Sequence, residues 1–200
     1  MCHLIESLLV EKKEIKRIEY HNKRFNEALK NFLDKDIKMD LSEYIILPPE
    51  ITDDRYKCRV TYEDGKIKTE FAIYIPREIK SCKVVYSDTV DYSFKTTNRE
   101  ELNYLYNQRG KCDDIIIIKK GFVTDSFSSN IIFYNGSGWS TPDTPLLKGT
   151  QRQYLLDKGF IKEERISDKD ILKYSKLKLI NAMLDFERAP EIEIPSGIRF

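Results

Sequence analysis

Apolar and polar positions follow two different periods along this chain, and the changes of period divide it into elements. The run "HLIESLLV" is short, apolar and followed by the charged turn "EKKEIK", which predicts a first strand. In "EYHNKRFNEALKNFLDK" the period lengthens. Phe25, Leu29, Phe32 and Leu33 recur at spacings of four and three, so a helix with one apolar stripe is expected, with His21 and Arg24 on a neighbouring face near its start.

From residue 43 to residue 94, β-branched and aromatic residues dominate. "EYIIL", "KCRVTY", "TEFAIYI", "CKVVYS" and "DYSF" are predicted as strands, with Asp64 and Gly65 closing a hairpin. "NREELNYLYNQRG" predicts a helix with Asn98 as N-cap, Leu102 and Leu105 on one face and Gly110 as its stop. Beyond it, "DDIIIIKKGFVTDSFSSNIIFYNGSGWSTP" predicts successive hairpins, "TQRQYLLDKGF" a short helix stopped by Gly159, and "SDKDILKYSK" another capped by Ser167. Together they predict a two-lobed α+β protein: an α/β lobe over residues 1–90, a β-rich lobe over 91–200, and a hinge near 86–95. Lys95 falls just past that hinge, and clefts between lobes are favoured places for ligands.

Composition removes several function classes. The 34 basic and 33 acidic residues leave a net charge of +1, so no global field draws nucleic acid or an anionic membrane. Cys2, Cys58, Cys82 and Cys112 are far apart, and only His3 and His21 could join them, so no metal site is expected. No apolar run approaches the roughly 18 residues that would span a bilayer. The start of the chain lacks a basic segment followed by a clean apolar stretch and cleavage site, so a cytoplasmic location with reduced thiols is expected.

Candidate chemistry lies at four places. Lys95 ends an alternating aromatic run and leads into a helix. In "GFVTDSFSSNIIF", Asp125 sits near a strand end where small polar residues interrupt the apolar pattern, a break that either faces a ligand or forms a bulge or Asx-turn. In "STPDTPLLKGTQRQYLL", a loop with prolines leads through Gly149 into a helix whose first N–H groups, from Thr150 onward, suit a phosphate, or simply a capped helix start. Arg24 could clamp such a phosphate or lie on a solvated face.

As a set, these motifs resemble the class IV aminotransferases, pyridoxal 5'-phosphate enzymes of fold type IV. The resemblance runs from "IESLLVEKKEIKRIEYHNKRFNEA" to "KLINAMLDF" and implies a small α/β lobe beside a β-barrel-like lobe. In that family a lysine carries the cofactor as a Schiff base, and Lys95 matches it. The acidic partner of the pyridine nitrogen lies in Gly-x-Val-x-Glu-x-x-x-Ser-Asn. Here "GFVTDSFSSN" matches at Gly121, Val123, Ser129 and Asn130, with Asp125 in place of the glutamate. The phosphate loop Gly-Ile-Thr-Arg is represented by "GTQR", which implies cofactor-binding roles for Thr150 and Gln151, and the Arg of a His-x-x-Arg motif matches Arg24.

Within the family, "KTTNR" resembles the Lys-x-x-Asn-Arg of aminodeoxychorismate lyases, and "GTQRQY" and "LINAML" lean the same way. That subgroup implies release of pyruvate from 4-amino-4-deoxychorismate to leave 4-aminobenzoate, a step of folate biosynthesis. Lys95 would be the base and Asp125 would keep the pyridine nitrogen protonated. The two carboxylates of that substrate call for cationic donors, for which Arg99 and Arg152 are candidates, and Ser7 could relay a proton to the leaving group. Two alternatives stand beside it: a transaminase acting on branched-chain or D-amino acids, and a noncatalytic paralogue. The second is motivated by Asp125 in place of Glu. It is also motivated by how near the start "IES" lies, where the family carries a preceding strand and a glycine-rich segment. A homodimer is implied by the family alone.

Overall fold

The computed structural model describes residues 3–63 and 65–200, and the chain divides into two compact units. The first comprises Met1–Pro76 and Phe94–Asn98; the second comprises Arg77–Ser93 and Arg99–Phe200. Asp64, half of the predicted hairpin turn, lies outside the described residues.

The first unit is a four-stranded antiparallel sheet with a helix on one face. Strands β1 (Leu4–Glu11), β2 (Glu14–Ile15), β3 (Tyr56–Glu63) and β4 (Lys66–Ile73) lie in the order β2-β1-β3-β4. The register sets Leu4 opposite Tyr62, Leu8 opposite Cys58 and Val10 opposite Tyr56. Side chains alternate across a strand, so these residues share a face. Helix α1 (Ile18–Leu33) covers it with Phe25, Ala28 and Leu29, and Phe25 meets Tyr62 edge to face at 5.9 Å. Phe32, expected on the same stripe, is 40% exposed at the end of the helix.

Residues 94–98 join this unit beside the start of β1. Ile5 N donates to Lys95 O at 2.9 Å, Thr97 N donates to His3 O at 2.9 Å, and Leu4 bridges Thr96. These bonds place Lys95 with β1, whereas residues 77–93 group with the second unit.

The second unit holds two sheets. In one, β5 (Cys82–Tyr86) and β6 (Asp114–Lys119) run parallel, with helix α2 (Glu100–Asn107) between them in sequence. Strand β7 (Phe122–Val123) and the late β13 (Ile198–Arg199) complete the order β13-β5-β6-β7. The other sheet has the order β10-β9-β8-β11-β12. It is built from β8 (Asn130–Tyr134), β9 (Trp139–Pro142), β10 (Ile161–Glu164), β11 (Lys176–Ile180) and β12 (Glu191–Glu193), with helix α3 (Thr150–Asp157) between β9 and β10. The run of four isoleucines in β6 is explained by burial on both faces. Ile116 and Ile118 pack with Ile131, Phe133, Leu177 and Leu179 of the other sheet, while Ile115 and Ile117 pack with Leu102 and Leu105 of α2.

The structure differs from the expected elements at four places. "EYIIL" is irregular chain that leaves a short 3-10 turn, Leu41–Glu43, where Asp40 accepts from Ser42 N at 2.9 Å and Asn22 of α1 accepts from Leu41 N at 2.9 Å. "DYSF" is not a strand. Asp91 accepts from Ser93 N at 2.9 Å, a local side-chain bond that competes with sheet pairing. The N-cap of α2 is Arg99 rather than Asn98. The strand "CKVVYS" forms, but it pairs in parallel with β6 instead of continuing a meander from β4.

Candidate active site

In the first unit, the parity of β1 aims a carboxylate into an apolar face. Leu4, Glu6, Leu8 and Val10 point the same way, toward α1, and Glu6 is only 1% exposed. Two residues one turn apart on α1 meet it. Arg24 Nε donates to Glu6 Oε1 at 2.8 Å and Arg24 Nη2 to Oε2 at 2.6 Å, while His21 Nδ1 lies 2.7 Å from Oε2. Burial alone would raise the pKa of Glu6, but the charge of Arg24 and the bond and charge of His21 outweigh it and hold the carboxyl well below its usual range. For His21, burial pushes the pKa down and Glu6 opposes that shift.

Glu6 is the residue that the sequence reading missed here. Its signal was a lone acid on the core-facing parity of an apolar strand. Arg24, expected as a phosphate clamp, is placed with this carboxylate. Ser7, one position on, takes the opposite face of β1, half-buried and across from Arg59 of β3. Lys95 is half-buried, with its carbonyl fixed by Ile5 as described.

In the second unit, Asp125, Asn130 and the start of α3 are brought together. After β7 the chain stays alongside β6, with Ile117 N donating to Asp125 O at 2.9 Å, and then turns back so that Asp125 and Asn130 bridge across a tight loop. The Asp125 carboxylate is 6% exposed. Its Oδ1 accepts from Asn130 Nδ2 at 2.7 Å and its Oδ2 from Leu147 N at 2.9 Å. Burial raises the Asp125 pKa to about 7, against the opposing pull of the Leu147 N–H, Asn130 and the charge of Arg152.

Asn130 also donates to Leu147 O at 2.9 Å, so one amide ties the carboxylate to the loop that leads into α3. A Cβ built on Gly149 would collide with Asn130 Oδ1, which is why this N-cap position has no side chain. Gln153 N donates to Gly149 O at 2.9 Å, so amides earlier in α3 have no intrahelical acceptor. Thr150 and Gln151 are buried there, and among the described residues Gln151 Oε1 has no hydrogen-bond partner. A buried carboxylate tied by one asparagine to the loop before a helix start suits a ligand with a cationic or protonated ring nitrogen and an anionic group, and the unmatched Gln151 Oε1 lies in the first turn of that helix.

The other two arginines are held by protein. Arg152 is 3% exposed. Its Nη2 donates to Pro142 O at 2.9 Å and to Glu163 Oε1 at 2.6 Å, and its Nε donates to Thr141 Oγ1 at 3.3 Å. Arg99 Nη2 donates to Phe127 O at 2.7 Å, with its guanidinium over the rings of Phe127 and Tyr92. Among the described residues, no group of three or more His, Cys, Asp or Glu could hold a metal ion, and no helix is long and apolar enough to cross a membrane.

The family model for amino-transferase class IV matches residues 60–192. A protein of Haemophilus influenzae described as uncharacterised is 38% identical over 185 residues, covering 92% of this chain and 98% of the relative. The crystal structure of a proposed 4-amino-4-deoxychorismate lyase from Haemophilus somnus superposes with a TM-score of 0.84 at 35% identity, covering 90% of this chain and 96% of that one. The branched-chain amino acid aminotransferase of Escherichia coli shares the fold at 12% identity, with a TM-score of 0.73 over 99% of this chain and 79% of that one.

Proposed function

This chain belongs to the class IV aminotransferases, and from that premise we propose that it is a pyridoxal 5'-phosphate enzyme that cleaves 4-amino-4-deoxychorismate to pyruvate and 4-aminobenzoate. The observation that carries the cofactor reading is the buried Asp125 carboxylate tied through Asn130 to the start of α3. Within the second unit the donors fit two parts of that group, a carboxylate for a protonated ring nitrogen and helix-start amides for a phosphate, and the family motif assigns Lys95 as the amine for its aldehyde. When bound, the cofactor supplies an electron sink conjugated to the substrate amine.

Lys95 is the residue assigned to hold the cofactor and to take the proton from the carbon that bears the substrate amine. Asp125 would remain ionised against the ring nitrogen, since an opposite charge within about 4–6 Å favours the charged form and lowers a pKa that burial alone has raised. Asn130 fixes the direction of that carboxylate. The amides of Thr150 and Gln151 would receive the phosphate, helped by the positive end of the α3 dipole. Asp125 is one methylene shorter than the family's glutamate, and its bonds to Leu147 and Asn130 set where the carboxylate stands.

The lyase, rather than the transaminase, is supported by "KTTNR" and by the likeness to the proposed lyase of Haemophilus somnus. The two are separated by one assay. Protein loaded with pyridoxal phosphate and given 4-amino-4-deoxychorismate alone should release pyruvate and 4-aminobenzoate in equal amounts. A strict need for an added 2-oxo acid, with no pyruvate released in its absence, would replace the lyase reading by the transaminase.

A further inference from the structure

We propose that Phe127 is a positioning residue for Arg99, and that the pair presents one fixed guanidinium edge to a carboxylate of the substrate. The inference rests on the lyase reading, whose substrate carries two carboxylates.

Phe127 lies in the loop between Asp125 and Asn130, and it is held at every part. Its N–H donates to the buried Asp114 Oδ1 at 3.2 Å, its carbonyl accepts from Arg99 Nη2 at 2.7 Å, and its ring is stacked by Tyr106 at 4.2 Å. The loop is closed independently, because Ser126 N donates to Ser129 O at 2.8 Å and Ser129 N to Ser126 Oγ at 3.1 Å. Phe127 is therefore not required to hold the loop shut. Its face lies 4.6 Å from the guanidinium carbon of Arg99, and the Tyr92 ring lies 5.1 Å from the same carbon.

A guanidinium set against aromatic rings and fixed at one nitrogen keeps its in-plane donors for an acceptor that approaches edge-on. Among the described residues, Phe127 O is the only hydrogen-bond acceptor of Arg99, and Arg99 is half-buried. The remaining donors of Arg99 have no acceptor among the described residues. A planar carboxylate matches the remaining edge in geometry and charge. The same loop thus carries Asp125 and Asn130 at its ends and the seat of Arg99 at its centre.

The test uses protein loaded with pyridoxal phosphate for steady-state rates, and the ligand-free protein for calorimetric titration with chorismate, which has the same two carboxylates and a hydroxyl in place of the amine. Phe127→Leu keeps the carbonyl and removes the ring, and Arg99→Lys keeps the charge and removes the fork. Each should raise KM about tenfold with kcat within about twofold, and weaken chorismate by a similar factor, while Phe127→Tyr restores both. A merely structural role predicts a lowered Tm with KM and chorismate affinity unchanged, and that result overturns the proposal. So does a fall in kcat with KM unmoved. If Phe127→Leu does not fold, Arg99→Lys decides alone. If the wild type releases no pyruvate, the lyase reading fails, and the chorismate titration still judges carboxylate recognition by Arg99 and Phe127.

Discussion

Asn130 holds Asp125: its side-chain amide donates to the Asp125 carboxylate at 2.7 Å and, from the same nitrogen, to Leu147 O at 2.9 Å. Asn130→Ala would leave a buried carboxylate oxygen and a loop carbonyl each short of a donor. Such unmatched groups cost about 1–3 kcal/mol apiece. The expected outcome is a lower denaturation midpoint and at least tenfold weaker binding of pyridoxal phosphate, read by urea titration and by cofactor absorbance.

Gly149→Ala should produce the same two effects by a different route. The new methyl group would enter the space of Asn130 Oδ1, and Asn130 is not free to swing away while its nitrogen serves two acceptors. Overpacking of this kind costs about 1–3 kcal/mol. Combining it with Asn130→Ala, which removes the obstructing oxygen, should cost less than the sum of the two single changes, as a double-mutant cycle would show.

Asp125 should give the ligand-free protein a distinctive pH dependence. Burial raises its pKa from 3.8 to about 7, so the folded chain binds this proton more tightly than the unfolded chain does. The sign follows. The group costs nothing below its unfolded value, and the cost grows as pH rises and is complete above about 7. Between pH 5 and pH 8 the loss is about 3 kcal/mol. Chemical denaturation should show the wild type losing this much more than Asp125→Asn over the interval. In the holoprotein, where the proposed function sets this carboxylate against a protonated ring, the difference should shrink, and turnover of Asp125→Asn should fall sharply while cofactor binding largely persists.

Glu6 should behave in the opposite sense. Its pKa is held below the usual range, with Arg24 and His21 outweighing burial, so its contribution to stability is present above the unfolded carboxylate value and is lost on acidification. Glu6→Ala leaves two α1 side chains without their shared acceptor, and breaking a buried pair by removing one partner typically costs about 3–5 kcal/mol. A thermal melt at pH 7 checks the size. At pH 3 the gap between wild type and variant should narrow.

The differences between sequence and structure have particular causes. The period-two and period-four runs of β1, α1, β3, β6 and α3 were readable because each buries one face, or both, against a partner. "DYSF" misled because Asp91 offers the backbone a local partner, and "EYIIL" leaves a turn where Asp40 and Asn22 hold the backbone; strand propensity registers neither. The motif residues were legible by type and spacing, and Asp125, Asn130 and Gly149 lie together. What could not be read was which partner each arginine takes. Glu6 for Arg24, Glu163 and Thr141 for Arg152, and Phe127 for Arg99 lie 18, 11, 11 and 28 positions away along the chain, and only the folded arrangement decides among the available acceptors.

The most direct test is to incubate the purified protein with pyridoxal phosphate, reduce it with borohydride, and map the modified peptide. A single reduced adduct on Lys95, lost in Lys95→Ala, is the result this account predicts. No adduct, or one on another lysine such as Lys119, would contradict it.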